Sequence, residues 1–221
     1  MPRGALGLSE LARQGFSELS EAKRRIDELG IDPSLFRDAA HPDQALRSWE
    51  QLSELHPDHM GQLVANPEAA GRLALLLGAS EGIAEFFRRR PEQLELVLSP
   101  PEPPATPEEL TRRLRAVGES SLTTDPVVAL RVAYRRELSR IALWDVAHPS
   151  PIDIVEQVAR ALADLADAVV DRAVQLARAE LEVSDHDVPL AIIAMGKAGA
   201  RELNYVSDVD GIYVTECPDG Q

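Results

Sequence analysis

Apolar positions recur every three or four residues along most of the chain, the spacing of helices that bury one face. "SELARQGFSELSEAKRRIDELG" reads as a helix capped by Ser9, broken at Gly15 and stopped by Gly30. "HPDQALRSWEQLSEL" puts Ala45, Trp49 and Leu52 on one face. "NPEAAGRLALLLG" ends on Gly78, a residue suited to a helix C-cap. "SEGIAEFFRRRPEQLELVL" reads as a helix pair divided near Pro91. Two long helices are expected further on. Asp125 and Pro126 open the first, with Val127, Leu130, Tyr134, Leu138 and Ile141 in register. Ser150, Pro151 and Asp153 open the second, whose stripe of Val155, Val158, Leu162, Leu165, Val169, Ala173 and Leu176 reads as core.

The period then changes. Residues 190–195 are a continuous apolar run between Pro189 and Gly196, the pattern of a strand buried on both faces. "GKAGARELNY" follows as a tight turn, and "SDVDGIYVTE" as a second strand. The expected fold class is therefore α+β: a mainly α N-terminal region followed by the start of a mixed α/β core. The pattern divides the chain into a helical region at 1–98, a connector at 99–108, long helices at 109–183 and a partial core at 184–221. The connector has five prolines in eleven residues, "SPPEPPATPEE", which no helix can continue through; a proline-motif docking site is the sharper alternative.

Composition narrows the function classes. A formal charge of −14 on 221 residues argues against broad binding to nucleic acid or to anionic membranes. Two local basic clusters, Arg88 to Arg90 and Arg131, Arg135, Arg136 and Arg140, read as solvated helix faces. Cys217 is the single cysteine, so no disulfide can form within the chain, which suits a reducing cytoplasm. No apolar run reaches a membrane span, and His56 and His59 have no companion ligands in sequence.

The candidate chemistry lies in "MGKAGARELNYVSDVDG". On a strand, Asp208 and Asp210 point to one side together with Ile212 and Val214. Two carboxylates that close repel unless a cation neutralises them, and an oxygen-only pair suits Mg²⁺ or Mn²⁺ with phosphate oxygens and water. Upstream, Gly196 and Gly199 leave backbone amides open to an anion at a helix start, and Lys197 adds a positive charge. This order of elements fits phosphoryl or nucleotidyl transfer. An ordinary acidic strand end after a glycine turn fits the same residues. No Walker A loop and no dinucleotide fingerprint is present.

"IAMGKAGARELNYVSDVD" resembles the signature of the glutamine synthetase adenylyltransferase family, within the polymerase-beta-type nucleotidyltransferase superfamily. Met195-Gly196-Lys197 resembles the superfamily's apolar-Gly-Gly/Ser element, with Lys197 in place of the small residue as is usual in this family, and Asp208-Val209-Asp210 resembles its Asp-apolar-Asp/Glu element. "LARQGF", "HPDQALRSWEQL", "LGASEGIAEFFRRRPEQLELV" and "YRRELSRIALWDV" resemble the family's N-terminal half in order and spacing. The resemblance implies adenylyl transfer or removal on glutamine synthetase, with this half releasing AMP from a modified tyrosine as ADP by attack of phosphate. It implies Mg²⁺ on Asp208 and Asp210, phosphate contacts from Gly196, Lys197 and Ser207, ATP, ADP or phosphate as substrates and products, and control by a PII-type signalling protein. Gly211 departs from the family's apolar strand residue. A third carboxylate, the rest of the sheet and a second catalytic half are expected beyond Gln221, so the 221 residues alone are expected to be inactive. The alternatives are another nucleotidyltransferase, acting on a small molecule or RNA, and a non-catalytic regulatory fragment.

Overall fold

Among the described residues, five α-helices begin on a proline, where the missing N–H costs nothing and the fixed φ is already helical. The computed structural model describes residues 7–116, 125–184 and 187–216; Cys217 lies outside them. The chain divides into two compact units, Met1–Glu102 with Ala142–Pro149, and Pro103–Ile141 with Ser150–Gln221.

The first unit is helical. It contains α1 (Leu8–Arg13), α2 (Leu19–Leu29), α3 (Pro42–Leu55), α4 (Pro57–Val64), α5 (Pro67–Ala79) and α6 (Glu81–Arg89), with 3-10 turns at Pro33–Phe36 and Pro91–Leu98. The break between α1 and α2 falls at Gly15, whose φ of 92° is open to glycine, and α2 ends on left-handed Gly30. Ser9 is not the cap: α1 starts one residue earlier, behind Gly7. The expected second helix after Pro91 is the 3-10 turn. Asn66 and Ser80 cap α5 and α6 by accepting from the amides of Ala69 and Ile83. Ala45, Trp49 and Leu52 are all buried, and the Trp49 ring meets Phe36 edge-on at 5.8 Å.

Gly78 is not a C-cap. It lies inside α5 and is buried, and a Cβ built on it would come 2.7 Å from Ala39 Cβ. The glycine at the end of that apolar run serves close packing. Arg88, in the first basic cluster, bonds Gln51, Glu81 and Glu85, and Arg89 bonds Glu85. His56 Nε2 is 2.7 Å from the carbonyl oxygen of Arg88.

The second unit carries α7 (Pro107–Arg115), most of α8 (Pro126–Ala147) and α9 (Val155–Leu181), then β1 (Leu190–Ala194), the single turn α10 (Gly196–Gly199) and β2 (Gly211–Thr215). Asp125 Oδ1 accepts from the Val127 amide at 2.8 Å and opens α8 as expected. A 3-10 turn, Pro151–Ile154, leads into α9. Only the middle of the α9 stripe is core: Val158, Leu162 and Leu165 are buried, Val155 and Ala173 are exposed, and Val169 and Leu176 are half-buried. Among the described contacts, α9 meets α7, α10 and the 3-10 turn before it.

β1 and β2 pair antiparallel, with Leu190 opposite Thr215 and Ala194 opposite Gly211. Two expectations are corrected here. β1 is not buried on both faces: its residues alternate between half-buried and exposed, because a two-stranded ladder leaves both faces largely open. The second strand starts at Gly211, so Asp208 and Asp210 precede it. The described fold is mainly α with one small sheet. No helix among the described residues is long and apolar enough to cross a membrane.

Candidate functional site

The site is built where β1 runs into α10. Gly196 adopts the left-handed region at φ 55°, which turns the chain sharply out of the strand. One turn later Gly199 lies against the strand end, where a Cβ would collide with the carbonyl oxygen of Ala194. Both glycines are demanded by geometry. The turn closes through Gly199 N–H to Met195 O at 3.0 Å and Glu202 N–H to Lys197 O at 2.8 Å. Ala198 and Leu203 are its buried anchors, on a face that packs against α9.

The ladder carries one rung beyond β2. The Met195 amide donates to the Asp210 carbonyl at 2.9 Å, so Asp210 stands directly opposite the glycine turn. The Asp210 carboxylate leans over Gly196: a Cβ on that glycine would lie 3.3 Å from Asp210 Oδ2. Sequence position 196 and sequence position 210 thus form the two walls of one cleft. Asp208 and Asp210 are exposed, and neither carboxylate has a hydrogen bond or ion pair among the described residues. Lys197 is likewise exposed, without an ion pair among the described residues. The first amides of α10 start a helical turn and lack an acceptor inside it.

Ser207 is placed differently. Its hydroxyl donates to Asn204 Oδ1 at 2.7 Å, and the same oxygen accepts from the Val206 amide at 3.1 Å. Asn204 therefore shapes the loop that delivers the aspartates, as an Asx turn. Any contact from Ser207 to a phosphate has to exchange that bond. Asn204 was not among the residues picked out by sequence; the Asn-x-x-Ser spacing was its available signal.

Behind the aspartates, Val209 lines a cavity of about 210 Å³ whose walls include Tyr134 and Leu138 of α8, Leu162 and Val169 of α9, and Leu203. Val209 edges this cavity and does not fill it, since about half of its surface (49 %) stays exposed.

Two carboxylates make a sparse metal set, and no group of three or more His, Cys, Asp or Glu residues able to hold a metal occurs among the described residues. Mg²⁺ needs no such cage, since it binds through one or two carboxylates and keeps waters and phosphate oxygens. Carboxylates without protein partners, beside a cleft that a side chain on residue 196 would narrow, fit that donor pattern.

Comparison with known proteins agrees with the motif. The family model described as glutamate-ammonia ligase adenylyltransferase matches residues 70–221. Relatives named bifunctional glutamine synthetase adenylyltransferase/adenylyl-removing enzyme are similar along nearly the whole chain. The one from Leifsonia xyli is 40% identical across 98% of this chain and 24% of its own length. The one from Cutibacterium acnes is 39% identical across 94% of this chain and 23% of its own. The one from Streptomyces coelicolor is 39% identical across 96% and 22%. The chain spans about a quarter of the length of the curated relatives it matches. With a family model covering well over half of its residues, the chain belongs to the glutamate-ammonia ligase adenylyltransferase family.

Proposed function

We propose that residues 190–215 are the opening of a nucleotidyltransferase core, and that the chain serves adenylyl transfer on glutamine synthetase, on the side that removes AMP. The observation that carries this reading is the juxtaposition of left-handed Gly196 with the Asp210 carboxylate. It sets the glycine turn and its open amides opposite a pair of carboxylates that have no partner among the described residues. Apart from a cation, few ligands satisfy both walls; a phosphate ester with its divalent cation does.

In this reading Asp208 and Asp210 hold Mg²⁺, which when bound offsets phosphate charge and polarises the phosphorus centre. Lys197 and the first amides of α10 bind phosphate oxygens and orient the phosphorus for in-line attack. Gly196 keeps the approach open. Attack by inorganic phosphate on the AMP phosphorus forms one P–O bond and breaks the bond to the tyrosine oxygen. ADP is released, and the tyrosine oxygen takes the proton that the attacking hydrogen phosphate brings, directly or through water. Phosphate is already anionic, so this direction needs no strong base among the residues of the turn. Magnesium, ATP or ADP, a PII-type regulator and a cytoplasmic setting belong to the same proposal.

The test is a graft. Residues 1–221 replace the matching quarter of the Leifsonia relative, and phosphate-dependent release of AMP from adenylylated glutamine synthetase is measured. The expected result is activity in the graft and its loss, with folding intact, on Asp210→Asn. A graft with Asp210→Asn that still removes AMP at a near-normal rate would overturn the assignment.

A further inference from the structure

Arg201 occupies a backbone position that asks for glycine. Its φ is 61°, and only it and Glu182 among the described non-glycine residues have positive φ. The segment already spends glycines at 196 and 199, so a costly left-handed arginine needs a reason in its side chain. That side chain forks onto α9. Arg201 Nη2 donates to Asp164 Oδ1 at 2.6 Å, and Nη1 bonds the Asp167 carboxylate. The two aspartates lie three apart on one face of the helix, the spacing that presents both to a single guanidinium. Asp164 is the better buried of the two, with its side chain 12% exposed against 50% for Asp167. Burial pushes the Asp164 carboxyl above its ordinary range, Asp167 and Glu108 add to the shift, and Arg201 and Arg160 oppose it.

The fork closes the same turn whose other end carries Gly196 and Lys197. The Arg201 amide donates to Ala198 O at 3.2 Å, and the Glu202 amide returns to Lys197 O. Ala198 and Leu203 give the turn apolar anchorage, and the Arg201 fork adds a polar tie to α9. We infer that Arg201 is a positioning residue: its fork onto Asp164 and Asp167 holds the Gly196–Lys197 turn at a fixed distance from Asp208 and Asp210 and so sets the affinity for phosphate. This rests on the reading of that turn as a phosphate site.

Arg201→Gly is the decisive variant, because it relieves the backbone while cutting both ion pairs. Arg201→Lys keeps the charge. Each is compared with the wild-type 221-residue chain by amide hydrogen exchange at 199–202, whose amides are bonded within the turn, and by calorimetric titration with ADP and Mg²⁺. The expected outcome for Arg201→Gly is exchange at least tenfold faster in the turn, with α5 unchanged, and ADP binding weakened at least tenfold. Arg201→Lys recovers a large part of both. Exchange in Arg201→Gly as slow as in the wild type, or undiminished ADP affinity with a loosened turn, would overturn the positioning role. A wild-type chain that binds no ADP sinks the phosphate reading instead. The exchange arm then still decides the clamp: a loosened turn upholds it and an unchanged turn removes it.

Discussion

Gly199 lies so close to the carbonyl group of Ala194 that a Cβ built on it would collide with the carbonyl oxygen. The contact is with backbone at the end of β1, so nothing flexible can yield. Gly199→Ala therefore has to push α10 off the strand, at a cost of about 1–3 kcal/mol in a tightly packed setting. Lys197 and Arg201 flank the turn and are trypsin sites. Cleavage there should accelerate by roughly tenfold or more, in proportion to the local opening. Cleavage at the wild-type rate would show that the turn absorbs a methyl group, and the close approach would lose its meaning.

Lys197 and Gly196 test the anion side of the cleft. Lys197→Ala removes an exposed, unpaired ammonium and should weaken ADP or phosphate binding by roughly 1–3 kcal/mol, the value of a charge-assisted hydrogen bond. Gly196→Val should do more harm. It forces a β-branched residue to φ 55° and puts its Cβ 3.3 Å from Asp210 Oδ2. Titration calorimetry on both variants would return unchanged affinities if the turn were structural alone.

The sequence made this cleft legible because its parts are close in the chain and chemically unusual. A glycine turn, a lysine and an Asp-x-Asp lie within residues 196–210, and helices with proline starts are readable one at a time. What stayed hidden depends on distant partners. Gly78 looks like a stop signal because the reason for it, Ala39, sits on another element. Arg201 looks like any basic residue because Asp164 and Asp167 lie 37 and 34 positions earlier. The α9 stripe reads as uniform core, yet periodicity reports only that a face is apolar and not how much of it another element reaches. β1 differs from its pattern for the same reason: an apolar run fits double burial, but the described sheet has one neighbour for it.

Acid should loosen the first unit through two carboxylates. Arg24, with Arg25, holds Glu21 down from 4.5 to about 2, and Arg88 and Arg89 hold Glu85 below its ordinary value. A carboxyl depressed in the folded state contributes stability that is complete above its unfolded pKa of 4.5 and is lost as pH falls through the folded value. Urea midpoints should therefore decline between pH 4.5 and about 2. Glu21→Gln should make that decline shallower, while lowering the midpoint only slightly at neutral pH because the pair is exposed. An identical slope in the variant would mean that these ion pairs are equally formed in the unfolded chain.

Two glycines in one helix should respond with opposite signs to the same substitution. Gly71 and Gly78 both lie in α5, and both would gain helix propensity from alanine, worth about 0.5–1 kcal/mol. Gly71 has nothing within 4 Å of a built Cβ, so Gly71→Ala should keep that gain and raise the melting temperature of the helical unit by a few degrees. At Gly78 the new methyl would meet Ala39 Cβ at 2.7 Å, with the Ala39 Cα and the Ala40 amide nitrogen both at 3.4 Å. Those neighbours are a β-carbon and main chain, which cannot rotate away, so the segment after the Pro33–Phe36 turn would have to shift. Overpacking of that kind costs about 1–3 kcal/mol and exceeds the propensity gain. Gly78→Ala should therefore lower the melting temperature. If calorimetry found both variants stabilised, α5 and the Ala39 segment would be more loosely packed than the structure has them, and Gly78 would be an ordinary helical glycine.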